Sequence, residues 1–177
     1  LKRNICIQDL NMDTGVTKKT ELIQNDPLYL ISPNNLPEYG SNPANAKFEK
    51  PFPVEVEYED SSGKARKSKF TVHLSVAQPE IQGLGGASVQ GRHYQHNCGI
   101  SFVRSGREID FGSFGFISAS DPRNRWWGIE VRFNPELDKL FGVTNSKQSV
   151  NNVKAFDESM KKELFEEKKR LLYVGIT

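Results

Sequence analysis

Residues 126–142 read WWGIEVRFNPELDKLFG, and this stretch decides the fold class. Trp127, Ile129, Val131 and Phe133 alternate with Trp126, Glu130 and Arg132. Successive strand side chains point to opposite faces, so the period of two predicts a strand with one apolar face. The period then changes without a linker. Asn134 is an N-cap residue type, Pro135 suits the first helical position, and Glu136 complements the positive helix end. Gly142 stands where a short helix needs a left-handed C-terminal residue. A strand thus runs straight into a helix.

Outward from there, alternation recurs in pairs. Val54, Val56 and Tyr58 alternate with Glu55, Glu57 and Glu59, and Phe70, Val72, Leu74 and Val76 alternate with Lys69, Thr71, His73 and Ser75. Asp60-Ser61-Ser62-Gly63 between them supplies turn chemistry, which predicts a hairpin with one wet face. A second hairpin is expected over Ile100 to Arg104 and Arg107 to Phe111, turning at Ser105-Gly106. Residues 77–97 read as a crossover with one short helix, and Gly112 to Phe116 as a bent strand. Ser149 can cap a long helix in which Val153, Phe156, Met160 and Leu164 recur at helical spacing. Residues 1–50 read as an extended arm that pairs around Pro27 to Ile31, and residues 51–177 as the domain proper. Strands followed by helices predict an α+β fold, a mixed sheet with helices on one face.

Eleven Phe, five Tyr and two Trp supply the apolar area that disordered chains lack. A net charge of +2 is too small a footprint for a dedicated nucleic-acid binder. Cys6 and Cys98 are too few for a secreted disulfide scaffold and fit a reducing compartment. With no apolar run of about eighteen residues and no signal-peptide pattern, a cytoplasmic location without membrane contact is expected. The chain opens on Leu1 rather than Met, which suggests a piece of a longer parent.

Candidate chemistry is sparse. His93, His96 and Cys98 form a His-x-x-His-x-Cys cluster, but zinc wants four ligands and only Cys6 and His73 remain to complete the set, so no metal site is expected. Gly83-Leu84-Gly85-Gly86 is glycine-rich, yet no Gly-Lys-Ser/Thr follows to make a phosphate cradle. Neither a Gly-x-Ser-x-Gly elbow nor a Cys–His pairing is legible. Trp127 shares the core face of its strand, whereas Trp126 points the other way, toward the arm or a neighbouring domain. Lys147 lies in a polar loop, Thr144-Asn145-Ser146-Lys147-Gln148, between two helices, where a four-carbon stem can carry its ammonium group outward.

Three stretches resemble a known family. Ile100-Ser101-Phe102-Val103-Arg104-Ser105-Gly106-Arg107-Glu108-Ile109 is similar to the strand-turn-strand segment of MutL-like proteins. Phe141-Gly142-Val143-Thr144-Asn145-Ser146-Lys147-Gln148, preceded by Asn134-Pro135-Glu136-Leu137-Asp138, resembles a switch loop. Asn25-Asp26-Pro27-Leu28-Tyr29-Leu30 looks like the entry into that domain. From about residue 98 onward the chain resembles the transducer domain of GHKL-type ATPases: DNA gyrase B, MutL, the MORC proteins and the heat-shock chaperone relatives.

The resemblance implies a fold like ribosomal protein S-five domain two. It implies that Lys147 is the catalytic contact to the γ-phosphate of ATP, with Asn145 and Gln148 beside it. ATP and Mg are then held by an ATP-binding module of the same chain, whose magnesium-binding helix and glycine-rich lid are not in this sequence. The parent is expected to be a homodimeric ATPase with a DNA-associated role, and this piece alone to be no enzyme. The loop reads Asn-Ser-Lys where gyrase-like loops read Gln-Thr-Lys. The alternative is a DNA-binding module without nucleotide chemistry, its backbone contacts made by Lys64, Arg66, Lys67 and Lys69, with Arg104 and Arg107 on the second hairpin. A structural interaction domain is the third reading.

Overall fold

The computed structural model describes residues 5–22, 25–32, 34–38, 44–47, 51–118, 120–144, 146, 149–151 and 166. In chain order the strands and helices are β1 (Ile5–Leu10), β2 (Thr17–Leu22), β3 (Asn45–Lys47), β4 (Phe52–Glu59), β5 (Ala65–Ala77), α1 (Pro79–Gly83), α2 (Val89–His96), β6 (Ile100–Arg104), β7 (Arg107–Gly112) and β8 (Trp127–Phe133). A 3₁₀ turn (Pro135–Leu137) then leads into α3 (Asp138–Phe141).

β1 and β2 form a two-stranded ribbon of their own. The other six strands form one mixed sheet, running β3, β5, β8, β6, β7, with β4 also on β5. β8 occupies one edge of β5 from Thr71 to Val76, so β3 and β4 share the other. β6 runs parallel to β8, and every other pairing is antiparallel. The central β8, flanked on both sides, is the most buried strand, as its Ile and Val content suits. The fold is α+β, as the order of patterns predicts.

Even-numbered residues of β5 and odd-numbered residues of β8 point into the main core. Phe70, Val72, Leu74, Trp127, Ile129, Val131 and Phe133 pack there with Ile100, Phe102 and Ile109. Leu137 and Phe141 cover this face. Three rings meet that of Phe141: Phe133 stacks at 4.2 Å, Phe70 lies edge-on at 5.3 Å and Phe102 at 5.9 Å.

The opposite face carries a smaller core of Tyr29, Leu36, Ala44, Ala77, Ile81 and Tyr94. Helices therefore sit on both faces rather than one, because α1 and α2 bury Ile81 and Tyr94 on the side of Ala77. Trp126 completes this cluster, half-buried at 5.3 Å from the Tyr94 ring. A chain of hydrogen bonds stitches the arm to the sheet. Tyr94 Oη donates to Asn45 Oδ1, Asn45 Nδ2 to Ser75 Oγ (2.9 Å), and Ser75 Oγ to the Leu28 carbonyl (2.7 Å). Residues on both sides of position 50 thus belong to one sheet and its cover.

Three local expectations change. Pro27 to Ile31 is a turn and not a strand, because Asp26 accepts from the amides of Leu28, Leu30 and Ile31 at 2.9, 2.6 and 3.0 Å. After Gly112, the last paired residue of β7, the chain to Phe116 leaves the sheet: Phe114 and Gly115 take positive φ, which sets the Phe114 ring edge-on to Phe102 at 4.8 Å. The crossover of residues 77–97 holds two helices, the second capped by Ser88 Oγ accepting from the Gly91 amide at 2.9 Å. The expected long helix over Val153, Phe156, Met160 and Leu164 lies outside the described residues. Among those described, no helix is long and apolar enough to cross a membrane.

Candidate functional site

The loop that follows α3 is built from its base upward. α3 ends at Gly142, whose φ of 60° is the left-handed turn-off that a residue without Cβ adopts at little cost. Val143 returns its amide to Asp138 O at 2.8 Å, and Val143 and Val150 form an antiparallel bridge that closes the loop. The Val150 amide donates to Asp110 Oδ2 at 2.7 Å, and the Asn151 amide to Gly142 O at 3.3 Å. Asp110 reaches this point through a β-bulge: Phe102 pairs with Asp110 but Val103 with Glu108, so Ile109 is an extra residue. The bulge sends Ile109 into the core and re-aims Asp110 at the loop base.

Phe141 and Val150 anchor both ends of the loop in the main core, at 0% and 5% exposure. Arg104 fixes the start of α3 with a bidentate pair to Asp138, 2.6 and 2.7 Å, and that hydrogen bonding holds the guanidinium pKa above its ordinary value. Within the loop, the Thr144 and Ser146 hydroxyls lie 2.9 Å apart, and Ser149 Oγ donates to Thr144 Oγ1 at 3.3 Å. Lys147, Asn145 and Gln148 lie outside the described residues. What the structure describes is the frame that carries them: a short loop with an exposed Ser146 and a hydrogen-bonded base.

The basic residues of the first hairpin do not form one free surface. Lys67 and Lys69 share a face, directly across from Glu57 and Glu55, and the Lys67–Glu57 charges lie 3.8 Å apart. Arg66 belongs to the other face and pairs with Asp60 at 3.1 Å. Asp60 also takes hydrogen bonds from the Ser62 hydroxyl and the Lys64 amide, and these, the hydroxyl first, hold its carboxyl down at about 2. Lys64 stands at the exposed end of the turn, and the second hairpin's Arg104 is committed to Asp138.

The remaining candidates diverge. His93 packs edge-on to Tyr29 at 5.8 Å, His96 Nδ1 lies 2.8 Å from the Arg92 carbonyl, and Cys98 is buried in the main core. Burial, then the neighbouring His96 charge, pushes the His93 pKa down. Among the described residues no group of three His, Cys, Asp or Glu side chains is placed to hold a metal ion. The glycine-rich segment joins α1 to α2, and Gly86 accepts from Arg125 at 3.0 Å.

A site that the sequence reading passed over lies on the arm side of the sheet. Register aligns Thr71, Arg132, Val103 and Glu108 in one row across β5, β8, β6 and β7, and His73, Glu130 and Ser101 in the next. Thr71, Arg132, Val103, Glu108 and Glu130 of these rows floor a cleft of about 840 Å³ walled by Asn25 to Leu28, Leu30 and Ile31. Glu130, 7% exposed, accepts from Arg132 Nε, and Ser101 Oγ donates to Glu108. Lys69 of β5 and the Arg132–Glu130 pair of β8 stand on one side of it and Glu108 of β7 on the other, with Val103 of β6 between them. Such a floor of both signs suits a polar partner surface more than a bare phosphate. Glu130 and Arg132 are legible in the sequence only as a wet strand face.

Comparison with protein-family models, with curated proteins and with solved structures finds no match.

Proposed function

We propose that this chain is the transducer module of a GHKL-type ATPase. Its loop of residues 144–149 touches the γ-phosphate of ATP held, with Mg, by an ATP-binding module of the same cytoplasmic, homodimeric protein. Lys147 supplies the cation that stabilises terminal-phosphate charge, and Asn145 and Gln148 line the contact. Loss of the phosphate releases the loop, and α3 and the sheet read that change as a two-state element.

One observation carries the reading: the loop is short, polar and clamped at its base to the core by the Val143–Val150 bridge and the Asp110–Val150 hydrogen bond. A clamped base with an exposed tip is what a positioned cation needs, because a contact held loosely loses most of its effect on the transition state. The alternative of a DNA surface on the β4–β5 hairpin has less support, since Glu55, Glu57 and Asp60 sit against its cations.

The test is ATP turnover of the full-length protein carrying Lys147→Ala. Removing one preorganised charge contact is expected to lower turnover by roughly 10²–10³-fold. Unchanged turnover in a folded variant would reject the assignment of this loop.

A further inference from the structure

The β1–β2 ribbon takes no part in the sheet or in the loop. All of its residues are exposed, and Ile5, Ile7 and Leu22, on one face, are 64%, 46% and 48% exposed. A two-stranded ribbon is marginal in water unless further strands join it or its apolar face is covered.

Its two edges differ in charge. β1 carries only Asp9, whereas β2 reads Thr17-Lys18-Lys19-Thr20-Glu21-Leu22. That second pattern complements itself. If two copies of β2 pair antiparallel about a two-fold axis at Thr20, Lys19 of each copy lies opposite Glu21 of the other. Thr20 then meets Thr20 and Lys18 meets Leu22. Opposite charges and Thr–Thr pairs directly across a ladder are both favourable.

Neighbouring registers fail. An axis at Lys19 sets Lys19 against itself, and an axis at Glu21 does the same for that carboxylate. A slip of one residue joins the Ile5–Ile7–Leu22 face of one copy to the opposite face of the other. The axis at Thr20 alone avoids like charges and gathers six aliphatic side chains on one side of a four-stranded sheet.

We propose that the β2 edge is a homodimerisation strand whose partner is β2 of a second copy of this chain. The inference is independent of the transducer reading. An isologous contact of two six-residue strands buries less than about 1,200 Å², which places the dimer in the weak, concentration-dependent class.

Sedimentation equilibrium of the chain across a concentration series is the test, with the near-UV signal of the two tryptophans as the check on folding. The wild type is expected to dimerise, with Lys19→Glu and Glu21→Lys each weakening the dimer roughly tenfold or more. The double variant K19E/E21K restores it, and an equimolar mixture of the two single variants forms a heterodimer. A wild type that stays monomeric, or a dimer indifferent to either single substitution, overturns the proposal.

Discussion

Phe141→Ala probes the joint between core and loop. The ring is fully buried and meets Phe133, Phe70 and Phe102. Losing its apolar burial costs about 2–3 kcal/mol. The cavity left behind adds about 2 kcal/mol if roughly 100 Å³ stays empty, at about 24 cal/mol per Å³. The sum, about 4–5 kcal/mol, is a large part of a typical domain's stability of about 5–15 kcal/mol. With a urea m-value of about 2 kcal/mol/M, the unfolding midpoint should fall by about 2 M. Phe141→Leu, which keeps most of the volume, should recover all but about 1.5 kcal/mol. The same samples report on the loop, because hydrogen exchange at the Val150 amide, bonded to Asp110, should accelerate in the alanine variant. A midpoint shift under about 0.5 M, or an exchange rate at Val150 that does not change, would refute the claim that Phe141 holds the loop base.

Two further outcomes follow from single positions. Gly128→Ala would place a Cβ 2.5 Å from the Pro27 carbonyl and the Ser75 hydroxyl and 2.8 Å from Leu28 Cα, so it should cost about 1–3 kcal/mol and speed proteolysis within residues 25–31. Gly83→Ala, with nothing within 4 Å, is the control and should be neutral or stabilising by urea titration. Because folding lowers the His93 pKa, the neutral form is favoured in the native state. Its contribution is present above about pH 6.5 and is lost as pH falls through the folded value. Urea midpoints measured from pH 7.5 to 5 should therefore fall less steeply in His93→Gln than in the wild type, and equal slopes would contradict this.

Several elements were legible because their signals are local. Alternation with a turn between marks β4–β5 and β6–β7, and the change of period at Asn134 marks the passage from β8 to α3, stopped by Gly142. The ribbon β1–β2 went unread among polar residues, although Ile5 and Ile7 alternate and Asn11 to Gly15 can turn; the Asn11 side chain caps the Asp13 and Thr14 amides at 2.9 and 3.0 Å. Of the candidate site, the loop was visible as a polar stretch that follows α3. Its clamp was not, because Asp110 reaches Val150 only through a bulge in a strand forty residues away.

By itself the sequence determined the α+β class, the boundaries of four core strands and the place of the loop, since each depends on neighbours within a turn or two of chain. Only the tertiary structure decided that β8 lies between β5 and β6, that helices cover both faces, and that Glu130 is buried in the floor of a cleft that Arg132 also lines. The physical reason is that periodicity says which residues share a face. What covers that face is set by pairings between distant segments, and these leave no local mark.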